Sequence, residues 1–232
     1  MTSLRIYQIK GLTLNDVLKI KNFEKINEED QETKVKLKQH ILNFKEEKNL
    51  ISFTFKHETA TKIEIDGKNV SNFHVYSGEI WILFKKNHTF LFLSTYETSE
   101  DLIYSMILQI IQTSINNLEK ELISEKVDLK ECFVEVINTD ASKVTSSWFR
   151  KITPHDQSAF LSGTLRDDEG RESNLYRELK KTAQQQSSIS IISKKLANKI
   201  TISESKISSR NNEINHISLI DYFEKILYEI MM

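Results

Sequence analysis

The chain has 232 residues and a formal net charge of −1 at pH 7, with 39% hydrophobic and 28% charged residues. This composition is typical of a folded globular protein and argues against a disordered chain. Its apolar runs, such as 90–93, are far shorter than the roughly 20 residues that span a bilayer. The single Cys132 excludes an internal disulfide and a cysteine zinc cluster. The first ten residues lack an apolar signal core, so we expect a cytoplasmic protein.

The near-neutral total conceals three segments of different charge. Residues 1–140 carry 18 Lys and Arg against 22 Asp and Glu, a net charge of −4. Residues 141–211 carry 13 against 7, a net charge of +6, and residues 212–232 carry 1 against 4, a net charge of −3. The basic segment can form an anion-facing surface, or it can be an ordinary solvated surface with uneven charge.

The first 50 residues predict a strand and two helices. Residues 4–9 alternate as a strand, and Thr13 is placed to cap a short helix. Residues 28–48 predict a longer helix, because Leu37, Ile41 and Phe44 recur at the spacing of one helical face. Acidic residues precede this face, as the dipole of a helix favours.

The next block predicts strands followed by one long helix. Ile51, Phe53 and Phe55 alternate with polar residues, which indicates a half-buried strand that continues toward a hairpin turn at Asp66-Gly67. Three more strands are predicted at 73–76, 79–84 and 89–96. The run 90–93 is apolar on both faces and predicts a central strand that is covered on each side. A helix with a wide apolar face follows at 101–122.

The second half repeats this order after a less regular start. We expect a strand at 132–137 and a short helix at 142–152, in which Val144, Trp148 and Ile152 form one stripe that ends before Pro154. A strand at 159–165 and a helix around 175–179 come next. Residues 189–192, 199–204 and 206–210 predict three strands, and residues 218–232 a final amphipathic helix.

The predicted elements indicate an α+β fold: a mainly antiparallel sheet covered by amphipathic helices, in two strand-then-helix blocks. We expect an N-terminal half at 1–125 and a C-terminal half at 126–232. The strands do not alternate with helices in the way that a βαβ nucleotide-binding fold requires.

Residues 64–68, EIDGK, contain an acid-x-Lys triplet of the kind that metal-dependent nucleases use. Such a site needs a second acid to share Mg²⁺, while Lys polarises the attacking water. Glu58 is the only nearby acid. Asp66-Gly67 is also what a type I′ hairpin turn requires, so the triplet is open to both interpretations and the turn is favoured.

Other chemistry-bearing residues give no recognisable catalytic or metal motif. His155-Asp156, with Ser158 nearby, could form a general-base pair or an ordinary loop surface. The acids at 167–172 could hold a divalent cation or form a solvated loop, and they lack the ligand order of an EF-hand. The remaining histidines lack zinc-binding spacing, although His57 and His74 could meet across strands. We expect no metal, no cofactor and no catalysis.

The basic segment 143–210 carries the leading functional hypothesis, that of a non-catalytic subunit that contacts DNA or RNA. Cationic side chains suit phosphates, and Trp148 would suit base stacking, although its helical stripe predicts that it lies in the core. Two alternatives stay open: a protein-interaction or oligomerisation subunit that docks through helices 101–122 and 218–231, and a metal-dependent nuclease. The candidate nucleic-acid-binding residues are Arg150, Lys151, Arg177, Lys181, Lys194, Lys195, Lys199, Lys206 and Arg210.

Overall fold

A computed structural model describes residues 1–29, 35–66, 68–95, 100–115, 122–152, 161–166 and 183–232. Helices are few and short, and strands make up most of these residues. The strands are β1 Thr2–Lys10, β2 Glu24–Glu29, β3 Lys36–Glu47, β4 Leu50–Ile65, β5 Lys68–Lys85, β6 His88–Thr95, β7 Ile123–Lys126, β8 Ala141–Ile152, β9 Leu161–Arg166, β10 Ala183–Ser193, β11 Asn198–Ser203 and β12 Lys206–Ser209. The helices are α1 Leu14–Leu18, α2 Glu100–Ile115, a 3₁₀ turn Lys130–Cys132, α3 Phe133–Thr139, α4 His216–Tyr222, a π-helical turn Phe223–Leu227 and α5 Tyr228–Met231.

The chain divides into two compact units. The N-terminal unit is Tyr7–Glu125, and the C-terminal unit is Lys126–Met232 together with Met1–Ile6. The division therefore runs through β1, whose first residues belong to one unit and whose last residues belong to the other. The halves 1–125 and 126–232 that the sequence suggests as folding domains stay a prediction.

The N-terminal unit has the strand order β2-β3-β4-β5-β6-β1, and the pairings from β2 to β6 are antiparallel. Strand β6 is buried on both faces, since the four side chains of 90–93 are at most 1% exposed. This confirms the predicted central strand. Helix α2 packs its isoleucines, among them Ile103 and Ile107, into the same core as Ile80 and Leu93.

The C-terminal unit has the strand order β1-β12-β11-β10-β8-β9, and each of these pairings is antiparallel. Strands β10, β11 and β12 confirm the three strands predicted near the end of the chain. Helix α3 contacts β8, and the 3₁₀ turn before it contacts β10 and the C-terminal helical segment. That segment confirms the predicted final helix and begins with Asn215, whose side chain accepts a hydrogen bond from the Ser218 N–H.

The expected α+β fold with helices covering the sheet is wrong. The described residues form a mostly antiparallel sheet structure with few short helices. The error comes from three segments in which a strand was predicted as a helix or a helix as a strand. Each of these errors has an identifiable physical cause.

The helix predicted at 28–48 is instead part of the sheet, because β2 and β3 occupy most of it. Residues four apart share one face of a strand as well as of a helix, since four is a multiple of the strand period of two. Leu37 and Ile41 are both buried, and Ile41 pairs with Phe55 of β4. The spacing of the apolar residues fits a helix and a strand equally well, and pairing with β4 selects the strand.

The helix predicted at 142–152 is strand β8, and the strand predicted at 132–137 is helix α3 with its preceding 3₁₀ turn. In α3 the buried residues Phe133, Val136 and Ile137 follow the i, i+3, i+4 spacing of a helix. The two strands predicted at 73–76 and 79–84 are one strand, β5. The helix predicted around 175–179 lies outside the described residues.

None of the helices in the described ranges is long and apolar enough to cross a membrane.

Candidate nucleic-acid interface

Strands β10, β11 and β12 place apolar side chains on one face of the C-terminal unit's sheet and polar ones on the other. In β11 the side chains of Ile200 and Ile202 are fully buried, whereas Lys199 is exposed and Thr201 is half-buried. Successive residues of a strand point to opposite faces, so this alternation separates a dry face from a face that remains available. We call the second one the open face.

The strand register arranges the open face into three rows that cross the sheet, in which neighbouring members face each other on adjacent strands. The middle row carries only hydroxyl side chains, and both outer rows carry cations. The first row is Trp148, Ser188, Ser203, Lys206 and Arg5; the middle row is Ser146, Ser190, Thr201, Ser208 and Ser3; the third is Lys143, Ile192 and Lys199. Arg210 directly follows β12 and shares a cavity with Lys199.

Trp148 lies on the open face because of a β-bulge in β8. Val144 pairs with the buried Ile191, but the next pair is Ser146 with Ser190, so Thr145 is an extra residue. One extra residue reverses which side chains face the core. Trp148 is therefore 38% exposed, and the expectation that it packs in the core with Val144 is wrong.

The strands of the open face carry no acidic residue. Segments 141–152, 183–203 and 206–210 contain Lys and Arg but neither Asp nor Glu. Six of the seven acids in the basic segment 141–211 fall at 156–178, and the seventh is Glu204, between β11 and β12. The strands that form the open face therefore contribute cations but no carboxylate of their own.

Two cavities open on this side of the C-terminal unit, and their charges differ. The larger has a volume of about 460 Å³ and mixes the cations Arg5, Lys126 and Lys206 with the carboxylates Asp128 and Glu204. Outside its lining, Lys130 binds the same two acids, with Nζ 2.7 Å from Glu204 Oε1 and 3.3 Å from Asp128 Oδ2. The hydrogen bond to Glu204 is the main reason that the pKa of Lys130 is raised.

The smaller cavity has a volume of about 390 Å³, and no carboxylate is among the described residues that line it. Lys199 and Arg210 supply its cations, and neither forms an ion pair within the part of the chain that the structure describes. The remaining lining is Met1, Thr145, Ser146, Ser190, Thr201, Ser208 and Asn211. We call this space the Lys199–Arg210 cavity.

The structure brings together some of the nucleic-acid-binding residues predicted from sequence and separates others. Lys199, Lys206 and Arg210 lie on the open face. Lys194 and Lys195 lie in the β10–β11 turn, where Lys194 Nζ donates to the carbonyl of Thr139 and the Lys195 N–H donates to Asp140 Oδ1. Arg150 and Lys151 belong to β8 by their backbone. Arg177 and Lys181 lie outside the described residues.

Asp140 holds the β10–β11 turn against the C-terminal helical segment. Its Oδ2 accepts a 2.9 Å hydrogen bond from the hydroxyl of buried Tyr222, and its carbonyl accepts from the Lys194 N–H. Burial, the Asp140 charge and this hydrogen bond all raise the pKa of Tyr222. Lys194 is therefore held at the C-terminal end of α3, beside Thr139 and Asp140.

The nuclease hypothesis gains no support. Ile65 pairs with Lys68 across a hairpin, and Asp66 has a φ of 51°, as a tight turn requires. Among the residues with described side chains, no group of three His, Cys, Asp or Glu could hold a metal ion. His57 pairs with Tyr76, and His74 with Thr59, so the two histidines do not face each other. His155, Asp156 and the acids at 167–172 lie outside the described residues.

The apolar faces of the two helices that were expected to dock a partner are buried within their own units. In α2 the buried side chains include Ile103, Ile107 and Ile111. In the C-terminal helical segment Leu219, Phe223 and Leu227 are fully buried. The surface that these helices would offer a partner is consequently small.

Several open-face residues were missed by sequence reasoning, namely Arg5, Ser190, Thr201 and Ser208. A signal for Ser190 and Thr201 is present in the sequence, because Ser188–Ile191 and Lys199–Ser203 alternate strictly between polar and isoleucine residues. The same alternation that predicts the strands also predicts that their polar side chains share one face of the sheet.

Comparison of the chain with models of known protein families finds no match. A search of curated proteins likewise finds no similar sequence.

Proposed function

We propose that the protein binds single-stranded nucleic acid on the open face of its C-terminal unit. The observation that carries the proposal is the coincidence, on one sheet face, of cations at both outer rows, a row of hydroxyls between them and an exposed tryptophan. Phosphates attract cations, hydroxyls donate to phosphate and sugar oxygens, and a base can stack on an indole ring.

The dimensions of the face support an extended strand as the ligand. Lys206 begins β12 and Arg210 directly follows it, so the two are four residues apart, which corresponds to about 13 Å in extended chain. Across the sheet, the first row extends over five strands from Trp148 to Arg5, or about 19 Å. Such a surface accommodates several nucleotides lying flat, whereas reading a duplex groove needs a protruding helix or ribbon.

The other two hypotheses have weaker support. Docking through helices 101–122 and 218–231 is less favoured, since the apolar faces of their described residues are buried in their own units. The nuclease hypothesis depends on Asp66, and this residue lies in a hairpin turn. A cytoplasmic setting, which keeps a thiol such as Cys132 reduced, is compatible with the proposed binding activity.

Fluorescence anisotropy with a labelled single-stranded oligonucleotide, as DNA and as RNA, tests the proposal. We expect the wild-type chain to bind at low salt and to lose affinity steeply as salt rises, because each neutralised phosphate releases counterions. Replacement of Lys199 and Lys206 by Glu should reduce the slope of log K against log salt by about 1.4, or ~0.7 for each lost contact. Affinity should fall at least tenfold.

Lys194→Glu with Lys225→Glu is the matched control, because it changes the net charge equally. Lys194 is tied to Thr139, and Lys225 is paired with Asp221 on the C-terminal helical segment. This control should bind like the wild type. Equal loss in both double variants would indicate a nonspecific charge effect, and no binding by the wild type at low salt would refute the proposal.

Trp148→Ala provides an independent arm of the same experiment. If a base stacks on the indole ring, this change should weaken binding by about 1–3 kcal/mol without altering the salt slope, because no cation is removed. A change in the slope with no loss of affinity would contradict the stacking role.

A further inference from the structure

We infer that the Lys199–Arg210 cavity is a subsite for a phosphate monoester, such as the terminal phosphate of a nucleic-acid strand. The inference rests on the proposed function and adds the chemical class of the group that this part of the open face takes. It is carried by the shape, the charge and the hydrogen-bond donors of the cavity.

The floor of the cavity is built from hydroxyl groups that the fold fixes in place. Ser190 and Ser208 are 7% and 9% exposed, and Thr201 lies between them on β11. The Ser190 and Thr201 hydroxyl oxygens are 2.8 Å apart. Only one of the two can donate in that contact, so the hydrogen of the other remains available to a ligand oxygen. Ser208 Oγ forms no hydrogen bond with any described residue and adds another donor.

The walls supply two positive charges without a compensating carboxylate. Lys199 of β11 and Arg210, which directly follows β12, both line the cavity, and its described lining contains neither Asp nor Glu. The carboxylate that the contacts place nearest is Glu213, 3.3 Å from Asn211 Nδ2, and it does not line the cavity. Two unpaired cations match a dianion in charge better than the single charge of a backbone diester.

The size of the cavity also favours the end of a strand. A space of about 390 Å³ is within the usual range for small-ligand sites. A phosphodiester needs an exit for the chain on both sides, whereas a monoester needs only one. The larger cavity on the same face is a poorer candidate, because Asp128 and Glu204 in its lining would repel a phosphate dianion.

The test compares oligonucleotides of one sequence that end in a phosphate or in a hydroxyl, at the 5′ end and at the 3′ end. We expect the wild type to bind one of the phosphorylated forms at least tenfold more tightly than its hydroxyl partner. Arg210→Gln and Thr201→Val should each reduce this preference to less than threefold. Lys194→Gln and Lys225→Gln, which alter charges outside the cavity, should retain it.

A second measurement separates failure of the subsite from failure of the proposed function. Inorganic phosphate is titrated into the isotope-labelled wild-type chain, and the backbone amide signals are followed by NMR. Saturable shifts at Ser190, Thr201 and Ser208 would support the subsite even if no oligonucleotide bound, in which case the proposed function would be wrong. Equal binding of phosphorylated and unphosphorylated oligonucleotides, with no shift on phosphate addition, would overturn the subsite and leave the proposed function standing.

Discussion

Strands β6 and β11 lie inside their sheets, between two neighbours, yet they use their side chains in opposite ways. In β6 the run 90–93 is buried on both faces, whereas in β11 only Ile200 and Ile202 are fully buried. Both strands are stabilised by backbone hydrogen bonds on each edge. The difference shows that a strand with one buried face is sufficient to hold its place in the sheet. Its second face carries Lys199 and Thr201, the residues that we propose contact a ligand.

The largest loss of stability should come from removing a large side chain from β6, the strand that is buried on both faces. Phe92→Ala removes a fully buried ring and should reduce the free energy of unfolding by about 3–5 kcal/mol, because it leaves a cavity as well as losing burial. Urea denaturation followed by circular dichroism measures this change. A loss below about 1 kcal/mol would show that β6 is not covered on both sides.

The dry side of the C-terminal unit can be probed through its thiol. Cys132 is buried, and burial, helped by the charges of Glu131 and Asp128, raises its pKa from 9.0 to about 11. At pH 8 the thiolate fraction should therefore be about 100-fold lower than in the unfolded chain. We expect labelling by a thiol reagent to be slowed at least by that factor.

The same shift gives a pH dependence of stability with a defined sign. The thiol is favoured in the folded state, so its contribution is present below pH 9 and is lost as pH rises toward 11. Cys132→Ala should remove the part of the alkaline loss of stability that comes from ionisation of this thiol. Rapid labelling of Cys132 in the native chain at pH 8 would contradict the burial of its thiol.

Neighbouring residues of β11 provide a smaller and more local comparison. Ile200→Val should cost about 0.5–1.5 kcal/mol, since it deletes a buried methyl group. Lys199→Ala should change stability by less than about 0.5 kcal/mol, because its side chain is solvated. Thermal melting of the two variants checks the alternation directly. Similar losses in both would mean that the two faces of β11 are not different environments.

Two substitutions of Asp66 make a similar comparison at the β4–β5 hairpin. Asp66→Asn should be within about 0.5 kcal/mol of the wild type, because Asn also tolerates a positive φ. Asp66→Val should cost about 1–2 kcal/mol, since a β-branched residue is strained at a φ of 51°. A stability loss in the Asn variant as large as that in the Val variant would show that the Asp66 side chain does more than fit the turn.

Sequence patterns predicted best the strands whose alternation or apolar run has no helical counterpart. Strand β6 and strands β10 to β12 are of this kind, and each was placed correctly to within a few residues. Sequence patterns gave the wrong element where apolar residues are four apart, as at Leu37 and Ile41, because that spacing fits the period of a helix and that of a strand. The partner strand resolves the ambiguity, and it is distant in the sequence.

The candidate site was predictable in composition but not in arrangement. The positive charge of 141–211 indicates the segment that contains most of the open face, and Lys199, Lys206 and Arg210 are among the residues that the sequence proposes for binding. The position of Trp148 depends on the bulge at Thr145, which no local pattern reveals. Arg5 joins the face only because it pairs with Lys206 of β12, which lies 201 residues further along the chain.

The most direct test of the open face as a nucleic-acid surface is chemical footprinting of lysines. The protein is acetylated with and without a saturating single-stranded oligonucleotide, and modification of each lysine is measured by mass spectrometry. We expect the oligonucleotide to protect Lys199 and Lys206 and to leave Lys194 and Lys225 unchanged. Unchanged modification at Lys199 and Lys206, or equal protection of all four lysines, would contradict the proposal that one face of this sheet holds the structure and the other binds the ligand.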